Sequence, residues 1–281
     1  MPRKIPKEES RNIDQLRKHY EVEKELADRL RKSEKEERTH LYNELYEELF
    51  RRVPNHPQLV RKADENSRND KIDNQMSVLK NYLDLETVFL EVGAGDCSLS
   101  LEVAKRVAQV YAVDVSETIA RNHSAPRNFA LRISDGCTID VPSGAVTLAY
   151  SNQLMEHLHP EDAKVQLRNI YNSLRPGGRY LCITPNRLTG PHDISKYFDD
   201  IARGFHMKEY TVTELAIAMK DVGFKTFEII WVLRGRPYRF SIEYIQALER
   251  VLQMIPRRLS RPLACRFFDR GTIALVSNKV G

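Results

Sequence analysis

The sequence predicts an α/β protein built around a doubly wound, mainly parallel β-sheet. The first observation is a strand-forming run at 88–92 that leads into the turn Gly93-x-Gly95. The second is a set of apolar residues at helical spacing over 99–108, and the third is another apolar run that ends at Asp114. A buried strand, a glycine turn, a helix and a second buried strand form the first unit of such a sheet.

The glycine turn and Asp114 also predict where a ligand binds. Ligands of such sheets bind at the carboxyl ends of the strands, where glycine allows close backbone approach and a helix N-terminus offers free N–H groups. Asp114 follows the turn by about 20 residues, the separation at which these folds place an acid for ribose hydroxyls. The sequence therefore predicts a cofactor that contains a ribose.

The residues around the turn distinguish between cofactors. A dinucleotide site carries G-x-G-x-x-G/A, and its third position is Ser98 here, which disfavours a nicotinamide dehydrogenase. The pattern Glu91-x-Gly93-x-Gly95 instead resembles the first motif of class I S-adenosylmethionine (SAM)-dependent methyltransferases. Three later segments resemble further motifs of that family and occur in the same order: 133–136, 150–158 and 174–179. The resemblance covers roughly residues 75–230. Many family members carry another glycine where this chain has Asp96-Cys97.

This resemblance implies SAM as the cofactor and a Rossmann-like, seven-stranded sheet whose last strand is antiparallel. It assigns cofactor contacts to Glu91, Gly93, Gly95, Asp114, Asp135, Ser151 and Asn152. Glu91 and the glycines would hold the methionine end, Asp114 the ribose and Asp135 the adenine, while Ser151 and Asn152 would lie beside the sulfonium. For Asp135, a simple Asp-Gly turn is the alternative.

The loop at 186–210 is the predicted acceptor side, because in similar methyltransferases the segment after the fifth strand lines the acceptor pocket. The catalytic candidates are His192, His206 and Asp193, and the substrate-binding candidates are His157 and Tyr210. A histidine near a carboxylate suits general-base chemistry close to neutral pH, with structural roles as the alternative. No H-x-x-H or H-E-x-x-H spacing occurs, so the sequence predicts no metal site.

The N-terminal part is predicted to be a charged helical extension or lid over 1–75, ahead of a methyltransferase domain at 76–281. Dense mixed charge over 1–40 predicts a flexible or helical leader, with a dimerising helix as the alternative. Residues 41–53 carry one broad apolar face, which predicts either a lid helix or a helix packed on the sheet. The polar residues 60–74 predict a loop.

The remaining elements alternate between strand and helix patterns. The predicted strands lie at 88–92, 110–113, 129–133, 145–150, 180–184, 227–232 and 272–277. About 40 residues separate the last two strands, too many for a plain loop. Apolar residues at helical spacing and Arg257, Arg258 and Arg261 predict a basic helical insertion at about 236–268. Such an insertion could bind an anionic membrane surface or an anionic substrate. The alternative is a helical cap that packs on the domain with its basic residues in solvent.

Composition, charge and cysteine content predict the cellular compartment of the protein. The chain has 281 residues, 41% of them hydrophobic, and a net charge of +5. Residues 234–281 carry ten basic and three acidic residues, a charge of +7 that leaves −2 for the rest of the chain. No apolar run is long enough to span a membrane, and no secretory signal begins the sequence. The four cysteines form no C-x-x-C pair, which predicts a reduced, cytoplasmic protein.

Together these features predict a SAM-dependent methyltransferase that acts on an oxygen, or another nucleophile, of a small metabolite, sugar or lipid-linked acceptor. Base-amino methylation lacks its usual signature, since no Asn-Pro-Pro-Tyr-type motif follows the fourth strand. An RNA methyltransferase, supported by the basic C-terminal end alone, is the alternative enzyme. A non-catalytic partner protein with the methyltransferase fold is the alternative of a different class. The oligomeric state is left open.

Overall fold

One mixed sheet forms the centre of the computed structural model, which describes residues 5, 9–57, 59, 65–115, 125–233, 236–269 and 272–280. Its strand order is β3-β2-β1-β4-β5-β8-β6-β7. The strands are β1 (Val88–Val92), β2 (Gln109–Asp114), β3 (Phe129–Ile133), β4 (Val146–Asn152), β5 (Leu174–Ile183), β6 (Thr226–Leu233), β7 (Arg236–Ser241) and β8 (Thr272–Asn278). Strands β1 to β5 run parallel to one another, so their carboxyl ends share one edge of the sheet.

Helices cover both faces of this sheet. They are α1 (Ile13–Lys32), α2 (Lys35–Arg52), α3 (Glu65–Leu79), α4 (Ser98–Ala104), α5 (Pro160–Ser173), α6 (Val212–Asp221), α7 (Ile242–Met254) and α8 (Arg257–Phe268). Neighbouring residues of β1 belong to different cores: Phe89 packs with α3 and α4, and Leu90 packs in the larger core with the other helices. Because successive side chains of a strand point to opposite faces, a strand covered on both sides is continuously apolar, as the sequence of β1 predicts.

Among the described residues, the sheet has eight strands rather than the predicted seven. The predicted last strand is β8, and it is antiparallel as the family resemblance implies. The structure places it between β5 and β6. The added strand is β7, an edge strand paired antiparallel with β6 at the start of the predicted insertion. Its side chains are almost all exposed and include Pro237, which an edge strand tolerates, so no apolar alternation reveals it in the sequence.

The charged N-terminal segment is helical and packs onto the rest of the protein. Helix α1 begins with a capping box formed by Asn12 and Gln15. Its apolar side is buried, with Leu26 in the larger core and Leu16 against a 3₁₀ turn at Ile194–Tyr197. Helix α2 buries the apolar face predicted for 41–53.

Helix α3 corrects the prediction of a loop at 60–74, of which 60–64 lie outside the described residues. From Glu65 the chain is helical, although most residues up to Gln75 are polar. Met76, Val78 and Leu79 in the last turns are buried in a core, and Ile72 packs against the same core partly buried. The polar residues face a cavity and solvent, so this helix lacks the apolar stripe by which a helix is recognised.

Candidate functional site

The turn after β1 has the geometry that its glycines predict. Gly93 and Gly95 have positive φ angles of 77° and 55°, which favour glycine. The Gly95 amide donates to Oδ2 of Asp114 at 2.8 Å, so the predicted ribose acid lies directly beside the turn. Cys97 also has a positive φ, 58°, at the start of α4. Glycine adopts that backbone conformation at less cost than cysteine does.

Glu91 lies beneath the turn as a buried carboxyl group. It is 5% exposed, and the Ser100 hydroxyl donates to its Oε2 at 2.5 Å. Burial raises the pKa of Glu91 to about 8, although the hydrogen bond from Ser100 and the charge of Lys71 act in the opposite direction. The group is therefore mainly protonated at neutral pH and poised to respond to a positively charged ligand.

Asp135 follows β3 at the same edge of the sheet. Its Oδ1 accepts hydrogen bonds from the amides of Cys137 at 2.9 Å and Thr138 at 2.6 Å. Burial raises the pKa of Asp135, but these backbone hydrogen bonds outweigh it and the pKa lies below its usual value. The contacts support the turn role considered from the sequence, and the adenine contact stays a prediction.

A cavity of about 770 Å³ opens at the carboxyl ends of β4 and β5. Three of the predicted site residues, Asn152, His192 and Tyr210, line it. Its remaining walls include residues from α3, from the end of β5, from α6 and from the α8 end, among them Asp70, Lys71, Asn74, Gln75, Thr184, Leu215 and Phe268. Strand β4 neighbours β1, with Val92 in register with Ser151, so the cavity and the glycine turn lie at the ends of adjacent strands. No residue of the turn lines the cavity itself.

The lining residues of α3 are those that sequence reasoning missed. Asp70 and Asn74, and likewise Lys71 and Gln75, are four residues apart and therefore share one side of the helix. That polar spacing was the available signal, but polar residues alone do not distinguish a helix from a loop.

His192 is held firmly at the cavity wall. Its Nε2 is 2.7 Å from the Thr189 hydroxyl and 3.1 Å from the Asn186 carbonyl oxygen, and its amide donates to Glu209. Tyr210 forms a parallel bridge with Asn186, and burial raises the pKa of Tyr210 well above its usual value. Its phenol is therefore neutral over the physiological pH range.

The other nine predicted site residues are not among those that line the cavity. Five of them are the cofactor residues described above, and the remaining four are Ser151, His157, Asp193 and His206. The Ser151 hydroxyl is within 2.7 Å of the Tyr180 hydroxyl inside the sheet. Asp193 accepts from the Ser195 amide at 3.0 Å and the Gly204 amide at 2.7 Å, which orders the loop. These contacts support structural roles, and the catalytic assignment of Asp193 stays a prediction.

His157 and His206 form a buried polar cluster with Glu156, for which the sequence predicted no site role, and none of the three lines the cavity. Burial lowers the pKa of His157 to about 3 and raises that of Glu156. Burial also lowers the pKa of His206, but its contact with Glu209 outweighs this and the pKa lies above its usual value. His206 Nδ1 is 2.8 Å from Glu209 Oε1.

The sheet order, the positive-φ glycines and the acid at the end of β2 define a Rossmann-like domain for a nucleoside-containing cofactor. The sequence profile of the family described as "Methyltransferase domain" matches residues 90–182, which span the glycine turn through β5. This match, together with the fold, supports a class I SAM-dependent methyltransferase domain, for which SAM is the methyl donor.

Two relatives and one solved structure illustrate the similarity. The chain is 29% identical over 150 residues to a "probable S-adenosylmethionine-dependent methyltransferase" of Mycolicibacterium smegmatis, covering 52% of this chain and 55% of that protein. It is 24% identical to the carboxy-S-adenosyl-L-methionine synthase of Nautilia profundicola over 58% of this chain and 80% of that protein. The match thus spans about half the length of the mycobacterial relative.

The fold is similar to that of a Haloferax volcanii methyltransferase solved in complex with the Trm112 methyltransferase activator. The TM-score is 0.53 at 16% identity, over 79% of this chain and 97% of that chain. Within the described part of the chain, no helix is both long enough and apolar enough to cross a lipid bilayer.

Proposed function

We propose that the protein transfers the methyl group of SAM to a nucleophile of an acceptor bound in the 770 Å³ cavity. The observation that carries the proposal is the adjacency of the cavity to the glycine turn, across the paired strands β1 and β4. SAM is an activated methyl donor, so the protein mainly has to align donor and acceptor and exclude water.

The polar groups of the cavity support an acceptor with a hydroxyl or carboxyl oxygen. His192 and Tyr210 lie on one wall, and Asn74 and Gln75 of α3 lie on another. His192 is the candidate for holding the acceptor hydroxyl, because its ring is fixed by Thr189 and Asn186 at the cavity surface. This placement favours His192 over His206, which pairs with Glu209 away from the cavity.

Calorimetric titration with SAM tests this function, and Asp114→Ala tests the site. We expect the wild-type chain to bind SAM and not a reduced nicotinamide cofactor. Asp114→Ala should weaken SAM binding by about 1–3 kcal/mol, the range for losing a hydrogen bond to a charged group. The control Asp140→Ala removes an acid whose side chain is 81% exposed and should leave the affinity unchanged.

The outcomes of that titration separate the two claims. Equal affinity in the wild type and Asp114→Ala would overturn the ribose assignment alone. Failure of the folded wild-type chain to bind SAM would overturn the proposed function and favour the partner-protein interpretation.

An exposed apolar and basic surface on α7 and α8 supports a lipid-linked acceptor. Tyr244 and Met254 of α7 are 72% and 81% exposed, and Leu259 of α8 is 64% exposed. The exposed arginines Arg250, Arg258 and Arg266 belong to the same two helices. Apolar side chains combined with arginines suit binding at an anionic membrane surface.

Helix α8 also connects this surface to the cavity. Arg257 donates to the Gly190 carbonyl at 2.8 Å and Arg261 to the Thr189 carbonyl at 3.1 Å, both in the loop that carries His192. Phe268, near the end of α8, lines the cavity itself. A lipid-bound acceptor would therefore approach the cavity from the side that meets the membrane.

The double variant Leu259→Ser/Leu263→Ser tests this membrane contact in co-sedimentation with vesicles. We expect the wild type to bind vesicles rich in anionic lipid, and the variant to bind them roughly tenfold more weakly, because two apolar side chains no longer enter the interface. Ile217→Ser on α6, whose side chain is 54% exposed, is the matched control. Equal binding to zwitterionic vesicles, or an equal loss in the control, would contradict this surface.

The cysteines support the proposed cytoplasmic location. Cys97, Cys137, Cys182 and Cys265 are all unpaired thiols. Unpaired cysteines are typical of reducing compartments.

A further inference from the structure

The buried polar cluster brings together three side chains from two distant segments. Glu156 and His157 belong to the 3₁₀ turn Met155–His157 after β4, and His206 lies in the loop after β5. One potential ligand atom from each of the three lies within 4.8 Å of the other two. About 50 residues separate His157 from His206, so the short spacings used to find metal sites in a sequence could not reveal this group.

Glu156 is the unusual member, because one of its two carboxylate oxygens lacks a hydrogen-bond partner among the described residues. Its side chain is fully buried, and its Oε2 accepts from the Thr184 hydroxyl at 2.8 Å. Its Oε1 is buried and accepts no hydrogen bond from the described residues. Buried carboxylate oxygens are normally paired, since leaving one without a partner costs free energy.

Both histidines are oriented by groups that contact their Nδ1 atoms. His157 Nδ1 is 3.0 Å from the Tyr46 hydroxyl and 3.2 Å from the Phe205 carbonyl oxygen. His206 Nδ1 is 2.8 Å from Glu209 Oε1. Among the described residues, no group forms a hydrogen bond with either Nε2. A ring nitrogen held by a carbonyl or carboxylate, with the other nitrogen available, is the arrangement of metal-binding histidines.

A second buried group, His19, Glu23 and His56, shows the contrasting case. His19 uses Nδ1 with Arg11 and Nε2 with Glu23, at 2.8 Å and 2.7 Å. The other oxygen of Glu23 accepts from the Phe205 amide at 2.9 Å. In this second group His19 and Glu23 are satisfied within the protein, whereas in the Glu156 group Oε1 of Glu156 and both Nε2 atoms have no hydrogen-bond partner among the described residues.

We propose that Glu156, His157 and His206 bind a divalent transition-metal ion, with Zn²⁺ as its representative. Two imidazole nitrogens and one carboxylate oxygen are ligands that such ions accept, and a further coordination position would be completed by water or another oxygen. The ion would join the turn after β4 to the loop that carries Tyr210, and so fix the wall of the cavity. Metal binding does not depend on the proposed methyl transfer.

The test is calorimetric titration of the full chain, treated with a chelator and then dialysed, with Zn²⁺ and with Mg²⁺ as the comparison ion. We expect one Zn²⁺ per chain and much weaker binding of Mg²⁺. Glu156→Gln keeps an acceptor for Thr184 but removes the charged ligand, and it should weaken Zn²⁺ binding by about 100-fold. Glu209→Gln should weaken it by roughly 10- to 100-fold, the effect of a group that orients a ligand.

Two control variants make the assignment specific. His56→Ala alters the second buried group and His40→Ala removes an exposed histidine of α2, and both should bind Zn²⁺ as the wild type does. Co²⁺ in place of Zn²⁺ should give visible absorption in the wild type and lose it in His206→Ala. The proposal is overturned if the folded wild type binds no Zn²⁺, if Glu156→Gln binds it as tightly, or if His56→Ala loses it.

Discussion

Arg38→Ala is expected to lower the free energy of unfolding by about 3–5 kcal/mol, the cost of removing one partner from a buried ion pair. Arg38 of α2 is 2% exposed and its Nε donates to Asp162 of α5 at 2.7 Å, with a second bond of 3.1 Å to the other oxygen. Asp162 is itself 2% exposed. In the variant, Tyr42 remains as a donor to Asp162, at 2.7 Å, but the carboxylate charge has lost its cation.

Arg52→Ala is the matched control on the same helix. Arg52 pairs with Glu25 at 2.7 Å and with Glu48 at 2.9 Å, but its side chain is 32% exposed and that of Glu25 is 55% exposed. Exposed pairs contribute about 0–1 kcal/mol because water screens them. Urea unfolding followed by circular dichroism compares the two variants. Similar losses in both would show that Arg38 does not stabilise the protein as a buried charge.

The parallel part of the sheet could be predicted because its strands are covered on both faces. A strand such as β1 must then be apolar throughout, and a short apolar run bounded by glycine is visible in the sequence. Strand β7 could not be predicted in this way, because its side chains face solvent and its pairing depends on β6. Helix α3 was missed for the related reason that polar residues line the cavity.

Within the candidate site, features that depend on neighbouring residues in the sequence could be predicted, and contacts between distant segments could not. Gly93, Gly95 and Asp114 could be located because each lies at the end of a recognisable strand, and the structure places them side by side. The contact of His206 with Glu209 was within reach of the sequence, but the approach of His206 to Glu156 depends on the path of the loop after β5. The sequence likewise could not show that His192 lines the cavity while Asp193 binds backbone amides within the loop, because this depends on the direction of each side chain.

The raised pKa of Glu91 predicts that the stability of the protein without cofactor decreases as the pH rises. The pKa is raised from 4.5 to about 8, chiefly by burial, so the folded protein retains a proton that the unfolded chain has lost over that interval. Stability then falls between pH 4.5 and 8, because the unfolded state binds fewer protons than the native state. At 1.36 kcal/mol per pKa unit the loss approaches about 4–5 kcal/mol at the upper end. Glu91→Gln, which cannot ionise, should show a flatter decline when urea unfolding is measured at a series of pH values.

Binding of SAM should reverse this protonation if Glu91 holds the methionine end of the cofactor. The sulfonium and amino groups are positive, and a nearby positive charge favours the ionised carboxylate. SAM binding at pH 7 should therefore release a proton from the wild type and none from Glu91→Gln, where affinity should also fall. Calorimetry in buffers of different ionisation enthalpy measures this release. A binding enthalpy that is the same in every buffer would place Glu91 away from the cofactor charge, because an acid that is protonated in the free protein cannot ionise on binding without giving its proton to the buffer.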